Sequence, residues 1–142
     1  MARCDPHLRV PLSVCTTDRK AADCRDFDAA LVDTGATHTT IGKEAADRLS
    51  LRPAKTVQVS LGDGRRVSAT ITKARVCVGT GRGDEVVCRE APVAVLDGAT
   101  QPVIGASTLA ALDARIDVRS GRIRVRGETW RRGEGPAKPP GR

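Results

Sequence analysis

Apolar residues recur at every second position through much of this chain. In residues 7–17, Leu8, Val10, Leu12 and Val14 alternate with other positions, which predicts a strand with one buried face. Pro11 lies in that run and suits a sheet edge. The polar segment Arg19 to Asp26 reads as a turn. Phe27-Asp28-Ala29-Ala30-Leu31-Val32 is a second strand that runs directly into Asp33-Thr34-Gly35. The period then changes. Ile41, Ala45 and Leu49 stand four apart, which predicts a short helix over about residues 43–49, closed off by Pro53.

Alternation resumes with Val57, Val59 and Leu61, and again with Val67, Ala69 and Ile71, on either side of Gly62-Asp63-Gly64-Arg65. Setting 61 against 67, 59 against 69 and 57 against 71 predicts a hairpin over residues 56–72 with a glycine-rich tip. A further hairpin turns at Gly79-Thr80-Gly81-Arg82-Gly83-Asp84 and sets Val78 against Val87 and Cys77 against Cys88. Ala91 to Leu96 is another strand. Val103-Ile104-Gly105 leads to a second short helix over Ser107 to Leu112, with Ser107 as its N-cap. Ile116 and Val118 are expected to pair with Val125 and Ile123 across Ser120-Gly121. From Gly133 to Arg142 the chain is glycine, proline and charge, which predicts a disordered tail. The expected organisation is one domain over residues 1–130 and a basic tail over 131–142.

Many short strands, regular turns and only one or two short helices imply an all-β, closed or barrel-like fold. Composition sharpens this picture. Phe27 and Trp130 are the only aromatic residues, so the core must be Val, Leu, Ile and Ala. The length of 142 residues fits one domain with a real core. No apolar run approaches the roughly 20 residues of a membrane helix. Met1-Ala2-Arg3-Cys4-Asp5-Pro6 lacks the apolar stretch of a signal peptide, so a cytoplasmic protein with no membrane partner is expected.

The formal charge is +7, concentrated in Arg115, Arg119, Arg122, Arg124, Arg126, Arg131 and Arg132. Such an excess serves either an acidic partner or a solvated face. Nucleic acid is disfavoured as that partner, because single-stranded bases stack on aromatic platforms that this chain lacks. The five cysteines, Cys4, Cys15, Cys24, Cys77 and Cys88, form no CxxC pair and are odd in number. That speaks against a zinc site, and reduced thiols are the default expectation. Cys77 and Cys88, opposed in their hairpin, are either a disulfide or two buried thiols.

Candidate chemistry centres on Ala30-Leu31-Val32-Asp33-Thr34-Gly35-Ala36-Thr37. A carboxylate at the mouth of an apolar strand is costly unless it is paired or hydrogen-bonded. A turn would account for Asp and Gly alone. The pattern echoes about seventy residues later, where Val103-Ile104-Gly105-Ala106 is again two apolar residues, a glycine turn and a helix. His38 reads as a polar loop residue. The cysteines and Ser107 lack the local partners of a nucleophile, and Asp113 and Asp117 read as surface carboxylates.

With these features in order, the chain resembles the retropepsin-like aspartic proteases, and most nearly their small prokaryotic single-domain members. An apolar strand delivers Asp33-Thr34-Gly35-Ala36. A hairpin follows with a glycine-rich tip, Gly62-Asp63-Gly64-Arg65. Val103-Ile104-Gly105 then precedes a short helix. The resemblance spans about residues 7–126. It departs at Ala106-Ser107, where a polar or charged residue often follows the glycine, and at the flap tip, which lacks large apolar residues.

The resemblance implies a closed β-barrel of the acid protease fold and a homodimer, since one Asp-Thr-Gly supplies one carboxylate and a two-fold axis supplies the other. It implies peptide-bond hydrolysis by an aspartic endopeptidase that needs no cofactor or metal. Asp33 would be catalytic, with Thr34, Gly35 and Ala36 supporting it. Gly62, Asp63, Gly64 and Arg65 would form a substrate-binding flap, and Val103, Ile104 and Gly105 the second motif. Two alternatives stand beside it: a catalytically weak module that keeps this fold and binds peptide, and a basic β-domain that binds nucleic acid through its C-terminal arginines.

Overall fold

The computed structural model describes residues 8–17, 23–51, 53–60, 63–98, 101–117, 119–120, 122–132 and 135–136. The elements run β1 (Arg9–Cys15), β2 (Cys24–Val32), β3 (Thr39–Gly42), α1 (Lys43–Leu49), β4 (Pro53–Ser60), β5 (Arg66–Gly79), β6 (Glu85–Leu96), β7 (Val103–Ile104), α2 (Ala106–Ala111), β8 (Arg115–Asp117), β9 (Arg122–Arg124), β10 (Glu128–Arg131) and β11 (Gly135–Pro136). The strand order β6-β3-β7-β2-β1-β5 closes on itself because β5 also pairs with β6. This closed, mostly β ring with two short helices is the expected fold class. Neither helix is long and apolar enough to cross a membrane.

The ring encloses an aliphatic core. Leu12, Val14, Ala30, Ile41, Val76, Val78, Val93, Ile104 and Leu112 are buried there, and Phe27 packs only partly against it. α1 begins and ends where the four-residue spacing of Ile41, Ala45 and Leu49 places it, and all three are buried.

Pro11 is not on an edge, because β1 lies between β2 and β5. The β1–β2 register shifts between Val10 and Leu12, so the missing N–H falls at a bulge rather than in the ladder. The polar segment before Phe27 is already strand from Cys24 onward.

Two hairpin registers differ from expectation by two residues. Val59 faces Val67 and Val57 faces Ala69, not Ala69 and Ile71. Ile116 faces Ile123 rather than Val125. In each case a turn aspartate captures backbone N–H groups and ends the strand early. Asp63 accepts from the Arg65 amide at 3.0 Å. Asp117 accepts from the amides of Arg119 and Ser120 at 3.0 and 3.2 Å. A slip of two preserves which face each side chain occupies, so the apolar faces survive.

Reduced thiols are the second correction. Cys15 is bonded to Cys24 and Cys77 to Cys88. Both pairs are directly opposed in antiparallel ladders, which brings the side chains within bonding reach. Cys15, Cys77 and Cys88 form a separate cluster with Val86 and Trp130. The Arg75 guanidinium stacks on Trp130 at 4.7 Å. Replacing Cys77 and Cys88 together by Ser should lower stability by about 2–3 kcal/mol, the effect expected for closing a loop of about ten residues. Urea denaturation under non-reducing conditions measures it. A midpoint equal to wild type would mean that the thiols are not bonded in the working protein.

Ordered structure also passes the expected boundary at residue 130. β10 includes Arg131, whose backbone pairs with Gly135. The Arg132 amide donates to the Asp84 carbonyl at 2.9 Å, and its guanidinium lies 3.6 Å from Asp26 and 3.5 Å from Asp28. Burial of Trp130 and these acidic partners outweigh the local glycine- and charge-rich composition. Residues 133–134 and 137–142 of the expected tail lie outside the described residues.

Candidate active site

β2 carries the chain from the core to Asp33. Ala30 is buried, Leu31 and Val32 are half-buried, and Asp33, Thr34 and Gly35 are exposed. The local fold is a tight turn. The Gly35 amide donates to Asp33 Oδ1 at 2.9 Å, and the Ala36 amide donates to the Asp33 carbonyl at 3.2 Å. A Cβ on Gly35 would lie 3.2 Å from Asp33 Oδ1, so glycine lets the backbone close on the carboxylate.

The second apolar-apolar-Gly motif lies against the first. β7 runs parallel to the end of β2, with Leu31 beside Val103 and Val32 beside Ile104. On its other side β7 meets β3 antiparallel, through Thr40 and Val103. The 33–38 loop, which joins β2 to β3, must therefore pass the end of β7. The Asp33 amide donates to the Ile104 carbonyl at 3.0 Å.

Gly105 is where the two segments cross. A Cβ there would lie 2.4 Å from both the carbonyl carbon and the oxygen of His38. Only glycine fits, and for reasons of space rather than dihedral freedom: its φ is −95°. Beyond it, the Ala106 amide donates to the Ala36 carbonyl at 2.7 Å and the Ser107 amide to the Thr37 carbonyl at 2.9 Å. The first amides of α2, which have no partner within their own helix, thus hold the aspartate loop.

Ser107 is not the N-cap. α2 begins one residue earlier, Gly105 occupies the cap position, and Ser107 Oγ is buried without a hydrogen-bond partner. The buried hydroxyl chemistry belongs instead to Thr39 and Thr108, whose Oγ1 atoms are 2.5 Å apart. Thr39 Oγ1 also accepts from the Gly105 amide at 3.1 Å. Sequence reading passed over both residues. The signal was present: Thr39 shares the buried strand face of Ile41, and Thr108 lies four residues before the buried Leu112.

Residues 25–108 match a family described as aspartyl protease. The chain belongs to the aspartyl protease family. The expected closed β fold is present as a mostly β ring with two short helices. Among solved structures, the chain is similar to the retroviral protease-like domain of Ddi1 from Leishmania major, with 19% identity, a TM-score of 0.49, and coverage of 87% of this chain and 90% of that one. No curated protein matches it.

The other expected site element is the β4–β5 hairpin. Gly62 lies outside the described residues, while Asp63, Gly64 and Arg65 form an exposed tip. Gly64 has φ +87°, a left-handed conformation suited to glycine. Arg65 Nε donates to Asp63 Oδ2 at 2.6 Å. The Arg65 amide, and then its guanidinium, hold the Asp63 carboxyl below the usual carboxylate range. Beneath the hairpin, Val57, Val59 and Leu96 pack on Ala69, Ile71 and Ala94. Among the described residues, no three His, Cys, Asp or Glu side chains gather into a metal-binding group.

Proposed function

We infer that this aspartyl protease family member is an endopeptidase that works as a homodimer, with Asp33 of each subunit meeting at one site. The observation that carries this reading is the combination of exposure and fixity at Asp33. The carboxylate stands at the open end of a core strand, one of its oxygens held by Gly35, its loop held by β7 and α2. A single chain supplies one such carboxylate, and a two-fold axis would set its copy opposite.

The chemistry then follows from electrostatics. Two carboxylates about 3 Å apart cannot both ionise cheaply, so they share a proton. The charged member takes a proton from a water, which attacks the peptide carbonyl carbon. The protonated member hydrogen-bonds the developing oxyanion. The proton gained from water then passes to the leaving amine as the C–N bond breaks. The titration belongs to the pair rather than to either residue. Thr34 of each subunit would clasp the other across the axis, and Gly35 and Ala36 would offer backbone groups to substrate. The Gly62–Arg65 tip would fold over an extended peptide and exclude water.

Incubating the purified protein with a diverse peptide library from acid to neutral pH, with a pepstatin-class inhibitor as control, tests this reading. Inhibitor-sensitive cleavage by a species of dimer mass is expected. A well-folded dimer that cleaves nothing at any pH would overturn it, and peptide capture without turnover would then be the better reading.

The flap tip carries its own pH signature. Because the folded pKa of Asp63 is depressed, the tip contact is complete above the unfolded-chain value and is lost as pH falls through the folded one. The Arg65 amide resonance should therefore titrate below the usual carboxylate range. Asp63→Asn should remove that titration and raise KM more than it lowers kcat. A titration that survives in the variant would assign it to another group.

A further inference from the structure

The aspartate loop is fastened from below by a hydroxyl pair in an otherwise aliphatic interior. Thr39 and Thr108 are both fully buried. The core that the ring encloses is aliphatic, and Thr39 lies beside Val93 in the β3–β6 ladder. Two hydroxyls in such surroundings are costly unless they satisfy each other. They do so at 2.5 Å across 69 residues of sequence. Thr39 Oγ1 has a second partner, the Gly105 amide at 3.1 Å. A hydroxyl offers one donor and two acceptor sites, so valine of the same shape could make neither contact.

The position of this pair gives it a role beyond packing. Thr39 ends the segment that begins at Asp33, and Thr108 lies in the first turn of α2. Between them, the amides of Gly105, Ala106 and Ser107 reach Thr39 Oγ1 and the carbonyls of Ala36 and Thr37. Removing the hydroxyl of Thr39 would free the Gly105 amide and let α2 shift against the loop. The shift would reach Asp33 through Ala36, whose amide holds the Asp33 carbonyl.

We propose that Thr39 and Thr108 are positioning residues for Asp33: their shared hydrogen bond locks α2 to the aspartate loop and sets the height and angle of the carboxylate at the dimer axis. The proposal rests on the homodimeric protease reading. Without this pair, α2 would hold the loop by backbone contacts alone, from the Ala106 and Ser107 amides to the Ala36 and Thr37 carbonyls.

The test compares Thr39→Val, which removes the hydroxyl at constant shape, with Thr39→Ser, which keeps it. Thr108→Val and the double Val variant complete the set. Dimer mass, thermal midpoint, kcat, KM and amide exchange are measured for each. Thr39→Val should lower kcat by about 10- to 100-fold, as slight misplacement of reacting groups does, with KM within about twofold. Thr39→Ser should return kcat to near wild type. The double variant removes both hydroxyls and should recover much of the lost thermal midpoint without recovering kcat.

A Thr39→Val dimer with wild-type kcat, or a Ser variant as slow as the Val one, would overturn the proposal. If a single Val variant does not fold, the double variant and Thr108→Val carry the same comparison. If wild type cleaves no peptide, the protease reading falls by itself. Amide exchange at Ala36, Gly105, Ala106 and Ser107, expected to be about tenfold faster in Thr39→Val than in Thr39→Ser, then decides the locking role, and equal exchange refutes it.

Discussion

Asp33→Asn should leave a dimer of unchanged mass and reduce peptide cleavage by about 10⁴-fold or more, because both the acid and the base of the pair are lost. The substitution is nearly isosteric. An asparagine carbonyl can still accept from the Gly35 amide, which is the contact that shapes the turn. The loop is also held by the Asp33 amide on Ile104 and by α2, and neither contact involves the carboxyl. What the amide cannot do is take a proton from water or return one to the leaving amine. Steady-state kinetics with a peptide selected from the library, alongside sedimentation analysis, separates chemistry from assembly. Cleavage by the variant within about tenfold of wild type would place the chemistry elsewhere.

Gly105→Ala should be the most damaging glycine-to-alanine change among the described residues. The added Cβ would meet the His38 carbonyl group at 2.4 Å and the Thr39 amide nitrogen at 2.8 Å. All these atoms are backbone, so no rotamer change relieves the contact. Either β7 and α2 retreat from the aspartate loop or the loop moves outward. Both responses break the bonds from Gly105, Ala106 and Ser107. A loss of about 3 kcal/mol or more in stability is expected, the upper range for overpacking a core, together with loss of cleavage. Gly64→Ala is the matched control. Its φ of +87° strains an alanine, but no atom lies within 4 Å of the added methyl, so about 1 kcal/mol is expected. Urea midpoints for the two variants measure the difference. Equal midpoints would mean that the crossing at Gly105 is looser than its geometry requires.

Much of this architecture was legible because periodicity records burial. The spacing of Ile41, Ala45 and Leu49 located α1, and alternation in β1 and in the first part of β5 located their inner faces. The hairpin register at Cys77 and Cys88 was also readable, since Val78 and Val87 had to share a face. The turns were harder. Glycines drew attention at Gly62-Asp63-Gly64 and Ser120-Gly121, while the aspartates Asp63 and Asp117 captured the amides and set the registers. Alternation is blind to a slip of two.

Long-range polar pairing was harder still. Cys15 and Cys24 frame a polar segment that read as a turn, and nothing local announces that they oppose each other. Arg132, just past the expected domain boundary, is tied to Asp26 and Asp28 of β2, contacts that lie far off in sequence. At the site, Asp33-Thr34-Gly35 and Val103-Ile104-Gly105 stood out as motifs, but their side-by-side pairing is a property of the fold. Thr39 and Thr108 were legible singly as buried positions, from the faces of Ile41 and Leu112, but their pairing across 69 residues is again a property of the fold.

The central claim is that two chains build one site, and subunit mixing tests it most directly. Wild type and Asp33→Asn protein would be exchanged at equal concentrations under conditions that allow subunits to reassociate, and cleavage compared with wild type at the same total concentration. If each site needs Asp33 from both chains, only wild-type pairs are active, and about a quarter of the activity should remain. If each chain carries a complete site, about half should remain, and that result would contradict the shared-carboxylate account.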